Sequence, residues 1–420
     1  MNNQSKNEII SVIDIGTTKI IVLIAEYNLE NNQIHKVIGF GDSKSDGLKR
    51  GVVVDISKTI ESITKAVESA EEKAGFEISN AFVGISGDHI TSLNYSGVTS
   101  INSNNQNQAV GHSITDDDIE KVQELAANIN ISPDRRIMHI LPQEYIVDNQ
   151  EGISSPLGLS GRRLEAKVHL VTSSINTEKD ILTCLDAMSI NVIEFILEPL
   201  ASAFSVLNKD EMNLGSILID IGGGTTDVIS YGNGSVLHTG VVPIGGTIIT
   251  NDIAYRIQTS VDQAEELKKL YGTSNLNESN DNNEIIVKGV AGRNEFNISQ
   301  KMLAEVIEPR VKEIFELAKL EIEKANFNGD YTFGIVLTGG GSKLDGIVKS
   351  AFEVFNMPIK KGLPINDFEI ENIDIDIVDP RYATAIGLIK YVGQNYKLYN
   401  KMNKSSFIDI VKKFINELLK

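Results

Sequence analysis

The 420-residue chain contains one cysteine, Cys184, no tryptophan and 9 prolines. A lone cysteine cannot form an internal disulfide, which favours a reducing compartment. Lysine and arginine together number 39 against 57 aspartates and glutamates, so the net charge is −18. This balance argues against nucleic acid as a partner, because no basic domain is present to neutralise phosphates.

Long apolar runs are also missing. No stretch approaches the ~20 apolar residues that a membrane-spanning helix needs, and the polar first seven residues do not resemble a signal peptide. We therefore expect a cytoplasmic protein. At ~150 residues per domain the length allows two to four units. A zinc site is not expected, because no ligand spacing connects the six histidines. They are His35, His89, His112, His139, His169 and His238.

The most informative pattern is a turn that occurs twice. Residues 14–18 read DIGTT and residues 220–226 read DIGGGTT, and each follows a run of Ile, Val and Leu. A second apolar run follows each copy, so both predict strand, tight turn and strand. Successive backbone N–H groups in such a turn form an anion-binding concavity. The repeat predicts a duplicated α/β fold that grips a polyphosphate from both sides, as in the actin, Hsp70 and sugar-kinase group.

A third glycine turn, residues 338–342 (TGGGS), follows the predicted strand 334–337. The three turns resemble the two phosphate loops and the adenosine loop of the actin-like ATPases. Glycine lets backbone approach the phosphates, and the threonine hydroxyls add hydrogen bonds without charge. The alternative is that these glycines only form hairpins. The residues of the turns expected to bind ATP are Asp14, Gly16, Thr17, Thr18, Lys19, Gly222, Gly223, Gly224, Thr225, Thr226, Gly339, Gly340, Gly341 and Ser342.

Aspartates at two of these turns are the candidate metal ligands. Asp14 and Asp220 would hold Mg²⁺, mainly through water, because Mg²⁺ dehydrates reluctantly. Asp227 is either a further carboxylate near the metal or an acid at a strand edge.

Helix signals surround the turns. Asp55 is a candidate N-cap of a helix that Gly75 ends. Thr115, followed by three aspartates, starts another helix, and Ser260 with Gln263 forms a capping-box pattern for a third, which ends at Gly272. The second of these helices has a predicted buried stripe of Ile119, Val122, Leu125, Ala126 and Ile129. A long helix over 300–325 has predicted core positions at Leu303, Val306, Ile307, Ile314, Leu317 and Leu320. Residues 273–284, rich in Asn and Ser, predict an exposed, mobile loop.

Seven longer segments carry a more specific pattern than the glycine turns do. They are residues 139–145, 150–152, 156–161, 167–170, 303–310, 334–340 and 384–388. With these segments the chain resembles the FtsA family of bacterial division proteins over almost its whole length. The resemblance implies an actin-like body with an inserted α+β subdomain, ATP binding, polymerisation, and capture of the tail peptide of the tubulin-like division protein FtsZ.

The same resemblance implies a division into subdomains. The first core subdomain would comprise residues 8–86, 168–200 and 378–395, with 87–167 as the insertion. The second core subdomain would comprise 201–243 and 300–377. Residues 244–299 would form an upper subdomain that binds adenosine and the partner peptide.

Three further site residues follow from the resemblance. Glu265 and Lys268 would face the adenosine, although their spacing also suits a solvated ion pair on one helix face. Glu198 occupies the place where the Hsp70 relatives position a water molecule. Because division proteins vary there, Glu198 is only a weak catalytic candidate.

The end of the chain predicts a tether over 396–406, within a polar segment that begins near Lys390, and then an amphipathic helix over 407–420. The spacing of the large apolar residues places all of them on one helix face. Such a helix can pack on its own body or a partner, but the resemblance favours binding to anionic membrane lipids. The residues of this face are Phe407, Ile408, Ile410, Val411, Phe414, Ile415, Leu418 and Leu419.

Together these features predict an ATP-binding, actin-like division protein that polymerises and anchors the FtsZ ring to the cytoplasmic face of the membrane at the septum. It would be a structural adaptor that also contacts later division proteins, with slow hydrolysis at most, rather than an enzyme. The alternatives are a pilus-assembly actin homologue, which should lack the terminal helix, and a sugar kinase or Hsp70-type ATPase. No sugar pocket is recognisable, and no peptide-binding domain follows the predicted ATPase.

Overall fold

The computed structural model describes residues 7–101, 112–280, 284–289, 292, 294–327, 329–365, 367–371 and 376–402. Up to residue 100 its elements are β1 (Asn7–Ile15), β2 (Lys19–Asn28), β3 (Gln33–Lys44), β4 (Leu48–Lys49), β5 (Val52–Val53), α1 (Ile56–Ala74), β6 (Asn80–Ile85) and β7 (Thr91–Ser100). Those of the next stretch are β8 (His112–Ser113), α2 (Asp116–Ala127), β9 (Arg135–Val147), β10 (Gln150–Ile153), β11 (Ser160–Gly161), β12 (Arg163–Ser174), α3 (Ile175–Asp186), β13 (Asn191–Leu197), α4 (Glu198–Val206) and α5 (Lys209–Leu214).

The remaining elements begin with the second copy of the repeated turn. They are β14 (Ser216–Ile221), β15 (Thr226–Gly232), β16 (Ser235–Val242), α6 (Gly246–Ile257), α7 (Val261–Tyr271), β17 (Glu284–Val287), β18 (Phe296–Ser299), α8 (Gln300–Glu323), β19 (Ile335–Thr338), α9 (Ile347–Phe355), β20 (Ile359–Lys361), β21 (Glu369–Ile370) and α10 (Ala383–Met402). Short 3-10 turns occupy Leu276–Glu278, Gly340–Lys343 and Pro380–Tyr382.

Two sheets share one topology, which confirms the predicted duplication. The first has the order β13-β6-β1-β2-β3-β21, and the second has the order β20-β19-β14-β15-β16. In each sheet, an antiparallel meander of three strands begins with the strand that ends in the DIG turn. A strand parallel to that first strand lies on its other side. Carboxyl ends of parallel strands meet at one sheet edge, where α/β folds form ligand sites.

The helix caps show how local sequence sets the element ends. The Asp55 side chain accepts from the backbone N–H of Lys58, and Gly75 adopts φ 62° at the other end of α1. Thr115 and Asp118 form a reciprocal capping box on α2. For α7 only half of the predicted box forms: Ser260 accepts from the backbone N–H of Gln263. The Gln263 amide faces the Thr259 hydroxyl and the backbone of Lys288 instead.

The insertion is an α+β unit, as predicted. Its sheet has the order β10-β9-β12-β7, and α2 packs on it through Val122 and Ala126. The expected boundary at Lys167 falls inside β12, which continues to Ser174.

Two predicted core positions are wrong. Leu125 on α2 is 40% exposed and Leu320 on α8 is 56% exposed. The buried face of α8 includes the predicted Leu303, Ile307 and Ile314 and, in addition, Ala304, Val311, Phe315, Ala318 and Ile322. Small errors in the assumed phase turn a residue at the margin of an apolar stripe from the core to the solvent.

The predicted exposed loop over 273–284 is wrong for its first three residues, whereas Asn277, Glu278, Asn280 and Glu284 are exposed as predicted. Thr273, Ser274 and Asn275 are at most 4% exposed. The Ser274 backbone N–H donates to the Asp345 carbonyl at 2.8 Å, and the Ser350 hydroxyl donates to the Ser274 carbonyl at 2.8 Å. Polar residues can be buried when their hydrogen bonds are satisfied, and composition alone does not reveal this.

The predicted tether is helical over its first part, because α10 continues to Met402. Tyr396 packs on Tyr27 with ring centroids 4.6 Å apart, and Tyr399 packs on Phe82 at 5.0 Å. The Tyr396 hydroxyl also donates to Glu8 at 2.6 Å. The tyrosines that suggested a polar linker therefore dock the helix on the first sheet. The predicted amphipathic helix over 407–420 lies outside the described residues.

A polar seam connects the insertion to the second sheet. His169 on β12 is fully buried; its Nδ1 lies 2.6 Å from Asn94 Oδ1, and its Nε2 lies 2.8 Å from Thr239 Oγ1 on β16. Because Asn94 Oδ1 only accepts, Nδ1 donates, and Nε2 of the neutral ring accepts from the threonine. The Gln143 amide donates to the Val236 carbonyl at 2.8 Å. Burial lowers the pKa of His169 to about 3.

This seam predicts acid sensitivity. Between pH 6.5 and 5 the unfolded chain protonates His169 and the folded chain does not, so acidification favours unfolding. We expect the free energy of unfolding of the wild type to lose about 1.4 kcal/mol per pH unit more than that of His169→Gln. Urea denaturation at several pH values measures both slopes, and shared carboxylate effects cancel in the difference. His35→Gln, on the exposed part of β3, is the control; equal slopes for wild type and His169→Gln would contradict the prediction.

Candidate functional site

The two DIG turns face each other across the cleft between the sheets. In each, the first glycine N–H donates to a carbonyl three residues later: Gly16 to Lys19 and Gly222 to Thr225, both at 3.0 Å. A Cβ at Gly224 would lie 2.5 Å from Thr17 Oγ1. Side chains at this glycine would therefore push the two turns apart, which explains why the second copy is richer in glycine.

The third turn lies against the end of β14. Gly339 has φ +80°, and a Cβ there would lie 2.1 Å from Asp220 Oδ1. The Ser342 hydroxyl donates to the Gly339 carbonyl at 2.7 Å and so closes the turn on itself. Only glycine gives both this φ and this approach to a carboxylate.

The three turns line one pocket. It brings together most of the residues expected from the turns; Thr226, Gly341, Ser342, Glu265 and Lys268 are not among those that line it. The lining residues are Asp14, Ile15, Gly16, Thr17, Thr18, Lys19, Gly51, Ser86, Glu198, Asp220, Gly222, Gly223, Gly224, Thr225, Asp227, Gly339, Gly340, Arg381 and Thr384.

Three buried aspartates and the half-buried Glu198 give the pocket an acidic floor. Burial raises the pKa of Asp14, with Lys19 opposing the rise, and burial likewise raises the pKa of Asp220 against a hydrogen bond from Ser202. Burial raises the pKa of Asp227 to about 8, although Ser86 donates to it. Burial, and then the charge of Asp14, raises the pKa of Glu198 well above its ordinary value. The ionised state of this cluster is costly unless a cation is bound.

A magnesium ion fits this donor set. All four side chains offer the oxygen ligands that Mg²⁺ prefers. Within the described ranges, no three His, Cys, Asp or Glu side chains are close enough to form a direct metal cluster. Mg²⁺ in proteins usually keeps several of its waters and is bound through one or two carboxylates.

Sequence reasoning missed several lining residues. Ser86 follows β6, which runs parallel to β1, so its position beside Asp14 was accessible from the strand pattern. Gly51 and Arg381 come from connecting segments, and no motif marks them; the Gly51 N–H donates to Thr17 Oγ1 at 3.1 Å. Thr384 begins the matching segment 384–388, and its hydroxyl lies 3.4 Å from Asp220 Oδ2.

Glu265 and Lys268 form a partly buried ion pair on α7 rather than a solvated one. Lys268 Nζ lies 2.6 Å from Glu265, with 15% of the lysine side chain exposed. It also donates to the Gly246 carbonyl at 3.0 Å and to Thr250 Oγ1 at 2.8 Å. Gly246 N–H in turn donates to the Gly222 carbonyl of the second turn at 2.9 Å. The pair thus anchors α7 to the start of α6, next to that turn.

Comparison with known proteins places this site in a family. The model of "Cell division protein FtsA" matches residues 217–387, and that of "SHS2 domain inserted in FTSA" matches 87–172. The cell division protein FtsA of Pseudomonas aeruginosa is 41% identical over 391 residues, which cover 93% of this chain and 91% of the relative. The chain belongs to the FtsA family of cell division proteins. FtsA of Escherichia coli K12 is 35% identical, with 90% and 89% of the two chains covered.

Solved structures with low sequence identity show the fold of this chain more broadly. The PilM–PilN type IV pilus biogenesis complex matches with a TM-score of 0.64 at 14% identity, over 92% of this chain and 98% of that chain. MreB5 of Spiroplasma citri bound to AMPPNP matches with a TM-score of 0.55 at 15% identity, over 95% and 99%. These similarities show an actin-like fold.

Across the part of the chain that the structure describes, no helix is both long enough and apolar enough to span a membrane.

Proposed function

We propose that this FtsA-family protein binds ATP with Mg²⁺ in the pocket between its two sheets. One observation carries the proposal: three glycine turns from three strand ends, together with Asp14, Asp220 and Asp227, line a single cleft. Backbone N–H groups of the two DIG turns would hold the phosphates. Lys19 offsets part of their charge, and the three aspartates hold the ion through water. The ion would neutralise the phosphate oxygens.

The adenosine would lie on the other side of the third turn. Gly339, Gly340 and Gly341 present bare backbone there, while Ser342 fixes the turn. Glu265 and Lys268 would face the ribose or the purine from α7. Their mutual bond and the bond to Gly246 preorganise this wall before a ligand arrives.

Fast hydrolysis is not part of the proposal. Glu198 opens α4 before Pro199 and is half-buried. Burial, and then the charge of Asp14, raises its pKa well above the ordinary value. A general base must be ionised to accept a proton, so Glu198 could act as a base only where a bound cation offsets the neighbouring carboxylates. The protein would act as an ATP-binding adaptor with slow turnover at most.

The adaptor function has three further parts, which rest on family membership. The protein would polymerise, capture the FtsZ tail peptide through residues 244–299, and bind anionic lipids at the septal membrane through the apolar face of 407–420. It would thereby anchor the FtsZ ring and recruit later division proteins. The pilus-assembly and kinase or chaperone alternatives share the fold, but the curated relatives at 35–41% identity are cell division proteins.

Peptide capture can be tested on exposed apolar side chains of residues 244–299. Tyr255 on α6 is 89% exposed, Leu270 on α7 is 71% exposed, and Ile286 on β17 is 65% exposed. We expect the wild type to bind a labelled FtsZ tail peptide in fluorescence anisotropy. At least one of Tyr255→Ser, Leu270→Ser and Ile286→Ser should weaken binding ~10-fold or more, as truncating an interface anchor does.

The matched control is Leu214→Ser on α5, which removes a leucine that is 57% exposed and lies outside this region. Deletion of 273–284 is unsuitable, because Thr273, Ser274 and Asn275 are buried. If the peptide binds the wild type and all three variants equally, it occupies another surface. Lack of binding to the intact protein would reject FtsZ as a direct partner.

A further inference from the structure

The mouth of the pocket carries a second cation. Lys19 Nζ is engaged by Asp14 at 3.7 Å and donates to the Arg381 carbonyl, so its charge is partly neutralised within the first turn. Arg381 is also among the residues that line the pocket, and 47% of its side chain is exposed. Against four carboxylates, the described lining residues include these two cations alone. A nucleotide phosphate chain therefore meets a strongly acidic wall except at Lys19 and Arg381.

The position of Arg381 is fixed by its own turn. Asp379 caps Pro380–Tyr382 by accepting from the Arg381 backbone N–H at 2.9 Å, and its Oδ2 lies 3.3 Å from Arg381 Nε. Arg381 Nη2 donates to the Tyr382 hydroxyl at 3.0 Å. These contacts use Nε and Nη2 of the guanidinium. A guanidinium held in this way can donate its remaining N–H groups to a phosphate with little further loss of side-chain freedom.

Arg381 also lies against the third glycine turn. A Cβ at Gly340 would lie 3.7 Å from Arg381 Cγ, so the arginine stem packs against the third glycine turn. Lys343, at the end of that turn, pairs with Asp379 at 2.5 Å. Asp379 therefore pairs with both Arg381 and Lys343, but Lys343 does not line the pocket.

We propose that Arg381 is a nucleotide-positioning residue whose guanidinium contacts the phosphate chain at the mouth of the cleft. This inference rests on the proposed ATP binding and adds a residue that the glycine turns do not predict. Its partner is the phosphate chain rather than the base, because the Arg381 carbonyl accepts from Lys19 of the first phosphate turn and the arginine stem lies against Gly340 of the third turn. The contact would act together with Lys19 against the acidic floor.

Calorimetry with ATP, ADP and adenosine, in the presence of Mg²⁺, tests the assignment on the full chain. Arg381→Gln should weaken ATP and ADP binding about 10-fold, the size of a partly exposed charge-assisted contact, and change adenosine binding less than about 2-fold. Arg381→Lys keeps the charge without the fork and should fall between wild type and Arg381→Gln. Melting temperatures without nucleotide check that each variant is folded.

Lys343→Gln is the matched control, because it breaks the same Asp379 cluster without removing a lining cation. If it weakens ATP as much as Arg381→Gln does, Arg381 acts through the cluster and the direct contact is wrong. Equal weakening of adenosine would overturn the phosphate assignment, and unchanged ATP affinity of Arg381→Gln would overturn the inference while the proposed function stands. Failure of the wild type to bind ATP would instead reject the proposed function, and this inference with it.

Discussion

Replacing Asp220 with alanine should weaken Mg²⁺-dependent ATP binding by roughly 10- to 100-fold or more, the usual effect of losing an outer-shell metal partner. Asp220 is the carboxylate that all parts of the site share. It accepts from Ser202 at 2.7 Å, approaches Thr384 at 3.4 Å, and faces the third glycine turn through Oδ1. Its loss removes negative charge where a hydrated ion would be held.

The same change should cost the folded body little. Burial raises the pKa of Asp220, so its charged form is unfavourable without a cation. Alanine removes this unfavourable group, and the Ser202 hydroxyl keeps a neighbour in Thr384 Oγ1 at 3.1 Å. We therefore expect the melting temperature without nucleotide to stay within a few degrees of wild type. Function and stability oppose each other at this position.

Isothermal calorimetry with and without Mg²⁺ measures the binding effect, and calorimetric melting measures the stability effect. Asp186→Ala, which removes an exposed acid on α3, is the matched control and should bind like wild type. Asp220→Asn keeps the shape and removes the charge, so it should resemble Asp220→Ala if the ion is the reason. Equal ATP affinity of wild type and Asp220→Ala would reject the assignment of this pocket.

The duplicated fold and the three turns could be predicted because they depend on local rules. Short sequence windows, such as 9–18 and 217–226, contain all the signals that were needed. These signals are a buried strand, a carboxylate at its end, and glycine where backbone must lie close to a ligand or to another turn. The α1 caps Asp55 and Gly75 followed from the same kind of signal. Each of these features is decided by neighbours in the chain.

Features that depend on contacts between residues far apart in the sequence were not predicted. Gly51 and Arg381 enter the pocket because connecting segments cross its mouth, and nothing in their neighbours indicates this. Asn275 looks exposed by composition but is buried against the segment that contains Asp345 and Ser350. The tyrosines of α10 look like part of a polar linker until Tyr27 and Phe82 provide their packing partners.

The length of α10 bears directly on membrane attachment. The structure describes α10 as far as Met402. The chain from Met402 to Phe407 takes five residue steps, which can span at most about 18 Å. An attached body with a chain net charge of −18 would then lie close to the lipid surface. Anionic lipid repels it over a Debye length of about 8 Å at physiological salt. A short connection therefore makes each single anchor weaker than a free amphipathic helix would be.

Burial of apolar side chains would favour membrane binding by the proposed anchor. Its eight large apolar residues could each contribute roughly 1 kcal/mol or more on partial burial. Against this stand the ordering of a short helix that is marginal in water and a segment charge, over 407–420, of only three lysines against two acids. We expect one copy to exchange readily. Several copies in one polymer raise the effective concentration of the remaining anchors, so ATP would stabilise attachment by favouring self-association.

Flotation with anionic vesicles tests this proposal across a range of protein concentration. Phe414→Glu places a charge in the centre of the apolar stripe and should abolish flotation, as should a chain that ends at Lys404. Asn416→Glu adds the same charge to the polar face and is the matched control, which should reduce flotation only in proportion to the lost attraction for lipid. Wild-type flotation should rise steeply with concentration and with ATP. Equal flotation of wild type, Phe414→Glu and the shortened chain would show that the segment is not the anchor, and flotation that is independent of concentration would reject the avidity mechanism while leaving the anchor in place.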